Sequence, residues 1–408
     1  MKIKIYSLIL FLNSYLSGLL VPILSLLLLD KGATLSNLSI ILGLYAFTVI
    51  ILEVPTGIIA DIFGRKKSFC LSLIISLLSL ITLLFGKGFI FLSLGMMLYG
   101  FSRALSSGSF DAMFIDYYID NYGKDNLHNI TTRLSVLEAL GMSAGALSGG
   151  FFPKISNSYF IFLGTYDLNL IIRIILAATV IVLSFTFIHE TKSFKKEERI
   201  TLKQHIKNSS MIITKSSTII CIFISVFSTG FFLSSLETYW QPHFITLLPG
   251  DESMGLLGLM AFLYFAAATL GSIYSNKLIQ KYKFDAKKMY IVIRILLAIS
   301  VILTALQTRV PIFIALYSSI YLLFGIASVP EGVILNREIP NDIRASVLSV
   351  YSLVMQIGGL SGSLLYSILI NHISIPSIWI IAASMVLITV IIISKKFLTK
   401  TAVETTIS

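Results

Sequence analysis

Cysteine is nearly missing: 408 residues carry two, Cys70 and Cys221, both in or beside apolar runs. That excludes a disulfide framework and a thiolate metal site. Charge is scarce as well. Only 12% of the residues are Asp, Glu, Lys or Arg, about half of the roughly 25% usual in a soluble domain, which excludes a soluble globular protein. The histidines, His189, His205 and His243 among them, show no metal-ligand spacing. No Gly-rich loop ends in Lys-Ser/Thr, so ATP hydrolysis is not expected. No catalytic constellation gathers at one depth and no sizeable polar domain is present, so the chain is read as neither an enzyme nor a sensor, and no cofactor or metal is expected.

Apolar residues are what the chain has: 56% of it, with a mean hydropathy of +0.90. The runs are continuous, as from Leu71 to Leu84, where an outer-membrane strand would alternate polar and apolar residues. A membrane-spanning helix needs roughly 20 mainly apolar residues. Windows of that length give twelve spans, near 6–29, 37–60, 68–87, 89–114, 131–152, 167–189, 216–242, 254–276, 288–306, 310–334, 344–371 and 376–396. The first run, Tyr6 to Leu29, is too long for a signal peptide core and lacks a small-residue cleavage site, so it is read as a retained span. The expectation is an all-α membrane protein with twelve transmembrane helices.

The formal net charge of +11 marks one side of that arrangement. Lys2 and Lys4, Arg65 to Lys67, Lys124 and Arg133, the seven basic residues from Lys192 to Lys215, those from Lys277 to Lys288, Arg337 and Arg344, and Lys395, Lys396 and Lys400 share one face. Lys31, Lys87, Lys154 and Arg309 take the other, while Arg103, Arg173 and Arg294 fall inside spans. By the positive-inside rule the crowded face is cytoplasmic, with both termini, in a cytoplasmic membrane. A nucleic-acid partner is not expected. The polar stretch from Glu190 to Lys215, with Ile200, Ile206 and Ile213 near helical spacing, reads as a linker with an amphipathic surface helix. It divides the chain into six-helix bundles over residues 1–189 and 216–408.

The halves carry traces of repetition. Arg133-Leu-Ser-Val-Leu137 and Ala146-Leu-Ser-Gly149 in span five are matched by Arg344-Ala-Ser-Val-Leu348 and Gly359-Leu-Ser-Gly362 in span eleven, about half the chain away. Two pseudo-symmetric bundles around a central site are the sign of a rocking transporter; coincidence between two Leu/Ser/Gly-rich helices is the alternative.

The sharpest motif is Gly57-Ile-Ile-Ala-Asp61-Ile-Phe-Gly64-Arg65-Lys66-Lys67, at the end of span two. Here the sequence resembles the major facilitator superfamily, whose second-to-third-helix loop carries Gly-x3-Asp-x2-Gly-Arg-[Lys/Arg]. The resemblance implies that Gly57, Asp61, Gly64, Arg65 and Lys66, with Asp111 or Asp116 of span four, latch the halves in one state of the transport cycle. In the residues themselves, Gly57 and Asp61 are one helical turn apart, so a small residue would admit a close helix contact beside an acid. A tight turn with ordinary positive-inside charge is the plainer reading. Gly141, Gly145, Gly149 and Gly150 in span five look like the family's antiporter motif, with Ala146 in place of its proline. The resemblance associates that motif with exporters; a glycine stripe is also plain helix packing.

Ionisable residues within spans are costly and therefore candidates for function. Arg103 resembles the family's fourth-helix arginine and lies at a depth similar to that of Glu138, so a buried pair is expected, serving either proton coupling or structure. Asp111 fits a latch or a proton relay. Glu237 in span seven faces either the cavity or the outer interface, next to Thr238-Tyr-Trp240-Gln-Pro-His243; Glu331 lies in span ten. The resemblance makes spans seven and ten cavity-lining. The expected activity is secondary transport energised by a proton gradient. The favoured form is efflux of a small amphipathic or cationic compound, such as an antibiotic, by a monomer; the alternative is a symporter importing a metabolite.

Overall fold

The computed structural model describes residues 2–106, 110, 113–115, 118, 127–160, 163–188, 216–248, 250, 255–282, 285–339 and 344–405; for some helical residues, Asp61 among them, it describes the backbone alone. Among the described residues there are thirteen helices. They are α1 (Lys2–Gly18), α2 (Leu24–Asp30), α3 (Leu35–Phe63), α4 (Arg65–Phe85), α5 (Gly88–Ser106), α6 (Leu127–Tyr159), α7 (Asp167–Phe187), α8 (Ser217–Leu247), α9 (Gly255–Tyr282), α10 (Ala286–Ala305), α11 (Val310–Glu338), α12 (Arg344–Leu369) and α13 (Ile375–Thr405). Eleven of these, α3 to α13, are long and apolar enough to cross a membrane.

The first expected span is where sequence and structure differ in detail: the run is one apolar stretch but two helices. Pro22 has no N–H to give the Gly18 carbonyl, and Val21 N–H takes that carbonyl in a tighter turn at 3.1 Å. Elsewhere the boundaries follow local chemistry. Thr34 caps α3 by accepting from Asn37 N–H at 3.1 Å, and Asp285 caps α10 by accepting from Lys287 N–H at 2.8 Å. Gly64, with φ at +103°, makes the abrupt turn from α3 into α4 that a side chain would strain.

The chain forms two compact units, Met1–Lys195 with Leu248–Phe262, and Lys196–Leu247 with Leu263–Ser408. In the first, α1 packs on α6, α5 on α3 and α4, and α4 on α7. In the second, α8 packs on α12 and α13, and α10 on α11 and α13. The close pairs repeat: α1 with α6 corresponds to α8 with α12. Both seams are glycine seams. A Cβ on Gly145 would stand 2.2 Å from the Tyr15 carbonyl oxygen, and one on Gly230 would stand 1.9 Å from that of Met355. Only a bare Cα admits backbones so close.

Each unit has its own core, built on Tyr6, Phe69, Phe110 and Phe114 in the first and on Ile222, Val226, Tyr290 and Leu335 in the second. Large apolar side chains stay exposed along the outer faces, including Ile90, Ile175, Val182, Leu303, Ile368 and Ile391. In water such a surface would aggregate; against acyl chains it is solvated.

Candidate functional site

In the second unit, residues from five helices converge on a buried polar layer. Glu331 of α11 accepts a hydrogen bond at each carboxylate oxygen, from the Tyr290 hydroxyl of α10 and the Tyr351 hydroxyl of α12. Tyr290 has spent its only proton on Glu331, so the 2.7 Å contact with Ser225 has the serine hydroxyl as donor. Arg294 of α10 completes the layer. Its Nη1 donates to Thr229 Oγ1 at 2.5 Å, and its Nη2 to Ser228 Oγ at 2.6 Å and to the Ser225 carbonyl at 3.1 Å. Ser228 in turn meets Thr389 of α13 at 3.1 Å.

The helix positions explain the convergence. Ser225 and Arg294 come two turns after the starts of α8 and α10, Tyr351 two turns after the start of α12, and Glu331 two turns before the end of α11. At 1.5 Å per residue all lie about 10–12 Å from the same end of the unit. Arg294 is 2% exposed and Glu331 8%. Two opposite charges are thus held inside a membrane-spanning bundle with one tyrosine between them; hydroxyls meet Glu331, hydroxyls and a carbonyl meet the Nη atoms of Arg294, and the Arg294 Nε is buried with no partner among the described residues.

Glu237 of α8 is placed differently. Its neighbours Leu236, Thr238, Tyr239 and Trp240 are buried, while Glu237 is itself exposed. Its carboxyl is the acidic neighbour of Tyr264, Tyr317 and Tyr321. Tyr264 stacks on Tyr321 with centroids 4.4 Å apart, Trp240 lies 5.4 Å from Tyr317, and the Tyr317 and Tyr321 hydroxyls are 3.5 Å apart. The result is a polar and aromatic wall with an accessible carboxyl and, among the described residues, no hydrogen-bonded partner for it.

The remaining expected site residues are dispersed. Arg103 is exposed in the last turn of α5 and Glu138 is half-buried on α6. No ion pair joins them; the ion pair formed among the described residues is Lys31 with Asp167, at 2.6 Å. Similar depth on two helices is not enough, because the two side chains must also share an azimuth. Among the described residues a Cβ on Gly57 would meet nothing within 4 Å, so none of them makes the close helix contact expected there. Lys66 donates to the Phe185 carbonyl at 3.1 Å, and Arg65 is half-buried. Asp111, Asp116, the Asp61 side chain and the 190–215 linker lie outside the described residues.

Of the glycine motif, Gly141, Gly145 and Gly149 face the carbonyls of Phe11, Tyr15 and Leu19, and Gly150 abuts Gly258. Sequence reasoning missed Tyr290, Tyr351 and the hydroxyls around Arg294. The signal that could have found the layer was Arg294 itself, an arginine inside a span.

Similarity to known proteins matches this architecture. The description of the Major Facilitator Superfamily fits residues 6–249 and again 219–407. The uncharacterized MFS-type transporter YxaM of Bacillus subtilis (strain 168) is 24% identical over 380 residues, covering 92% of this chain and 91% of that one. Among solved structures, the nucleoside transporter NupG has a TM-score of 0.80 at 13% identity, covering 97% of this chain and 99% of that one. A D-xylose-proton symporter has a TM-score of 0.71 at 16% identity, covering 96% and 97%. With twelve apolar segments, two units of like helix pairing and a family match along nearly its whole length, the chain belongs to the Major Facilitator Superfamily of membrane transporters.

Proposed function

We propose that this transporter is proton-coupled and exports a small amphipathic compound from the cytoplasm by alternating access, with Glu331 as the group that takes up and releases the proton. The observation that carries the reading is the grip on Glu331. A buried carboxylate in a span is expensive, and this one holds donated hydrogen bonds at both oxygens from helices α10 and α12. A proton arriving on Glu331 must displace one of those hydroxyls, so protonation rearranges contacts between helices. That is the kind of linkage a coupled transporter needs. The wall of Tyr264, Tyr317, Tyr321 and Glu237 supports contact with the cargo, since aromatic faces suit an amphipathic molecule. The distribution of Lys and Arg supports a cytoplasmic position for both termini. Asp61 and Arg65 are assigned the latch that the family motif implies, and the protein is taken to act as a monomer.

Import by proton symport is the second reading. The neighbouring hydroxyls of Tyr317 and Tyr321 favour it, as donors for a hydroxylated metabolite.

Proteoliposomes with an imposed pH difference, an internal pH dye and a panel of amphipathic compounds test the proposal. Wild-type protein should couple cargo movement to opposite proton movement. Glu331→Gln, which keeps the shape and loses the titratable group, should abolish gradient-driven flux while cargo-for-cargo exchange continues. Full gradient-driven flux by Glu331→Gln overturns the proton assignment, and cargo moving in the same direction as protons selects the symport reading.

A further inference from the structure

The first unit holds a second buried arginine, and it is satisfied quite differently from Arg294. Arg173 of α7 is 3% exposed. Its guanidinium carbon lies 4.7 Å from the centroid of the Tyr99 ring on α5, and its Nη1 is buried with no hydrogen-bond partner among the described residues. Tyr99 stacks on Tyr45 of α3, centroids 5.4 Å apart. One turn further along α5, Arg103 also acts electrostatically on the Tyr99 hydroxyl, as does the Ser17 side chain of α1. Arg103 is exposed.

Among the described residues no carboxylate forms an ion pair with either charge: the ion pair found there is Lys31 with Asp167, and none joins Glu138 to Arg103 or Arg173. A guanidinium presents five N–H donors in a planar fork, and burying it without an anion is costly beyond what the Tyr99 ring and hydroxyl beside it return. The two rings beside it supply an apolar, stackable floor. By helix position Tyr99 and Tyr45 are each about 15 Å from the starts of their helices, well inside the membrane-spanning part.

We propose that Arg103 and Arg173, flanking Tyr99, bind the anionic group of the transported compound, a carboxylate or a phosphate, while its apolar body lies on Tyr99 and Tyr45. The assignment rests on the transporter reading and narrows its cargo from amphipathic or cationic compounds to amphipathic organic anions. The fork of Arg173 suits the two oxygens of either group, and Arg103 is exposed.

The test is ligand-dependent thermal stabilisation of the purified full chain in a neutral detergent, where no anionic lipid headgroup competes. The probes are naphthoate, naphthyl phosphate, naphthylmethanol and naphthylmethylamine, which share a ring system and differ in charge. At least one of the two acids should raise the melting temperature at concentrations where the alcohol and the amine do not. The apparent affinity should fall about tenfold or more in Arg103→Gln and in Arg173→Gln, as expected for a lost charged hydrogen bond. Arg173→Lys, which keeps the charge, should retain part of it. Arg103 is exposed, so its variant tests the site even if replacement of the buried Arg173 prevents folding. The proposal is overturned if the alcohol or amine matches the acids, if no probe stabilises the wild type, or if Arg103→Gln binds the acids undiminished. The measurement uses no gradient. A chain that binds acids but couples nothing to protons keeps this site and loses the proton assignment, and proton-coupled flux without acid preference does the reverse.

Discussion

Lys31 and Asp167 offer a sharp test of how this bundle is held. The ammonium of Lys31 donates to Asp167 at 2.6 Å and to the Leu84 carbonyl at 2.8 Å, while Asp167 also accepts from Gly164 N–H at 3.0 Å. The Lys31 carbonyl takes Gly88 N–H at 2.9 Å, so one residue ties the end of α2 to the end of α4 and the starts of α5 and α7. The two side chains are 7% and 16% exposed, too enclosed for water to screen the charge left behind when one partner is removed. Lys31→Met or Asp167→Asn should each cost about 3–5 kcal/mol, the range for breaking a buried pair from one side. The double variant leaves no charge stranded and should cost far less than the sum, giving a coupling of about 2 kcal/mol or more. Denaturant titration of the four purified proteins in micelles, monitored by tryptophan fluorescence, measures this. Since the pair is enclosed, added salt should shift the wild type little. Single variants within about 0.5 kcal/mol of wild type, or additive costs in the double, would refute the account.

Three further outcomes follow from the same geometry. Gly145→Ala should lower thermal stability by about 1–3 kcal/mol, because its Cβ meets the Tyr15 carbonyl and forces α1 from α6; Gly57→Ala, with nothing within 4 Å, should be neutral or stabilising by up to about 1 kcal/mol. Tyr290→Phe should impair gradient-driven flux more than Tyr351→Phe does, since Tyr290 both holds Glu331 and accepts from Ser225. Asp61→Asn should abolish transport in vesicles while the protein still inserts, which surface biotinylation and immunoblotting of membranes can separate.

What could be read from the chain is what depends on local pattern. Apolar run length specifies helices that cross a bilayer, and every expected span has its helix, the first as two. The Gly57–Lys67 motif specified the family because its residue types and spacing are local too. Acids inside apolar runs announce their own cost, which is why Glu237 and Glu331 stood out. That Arg103 and Glu138 form no ion pair was not legible, since depth along a helix says nothing of the direction each side chain takes around it.

The sequence by itself therefore determined the solvent, lipid, and the list of groups too costly to bury without purpose. Tertiary structure decided which of them meet. Tyr290 and Tyr351 close on Glu331 from 41 and 20 residues away, and Lys31 finds Asp167 across 136. Such meetings are fixed by the rotation and close approach of helices, set by glycine seams such as Gly145 on Tyr15 and Gly230 on Met355. A periodicity of 3.6 residues names a face of a helix but not the neighbour packed against it.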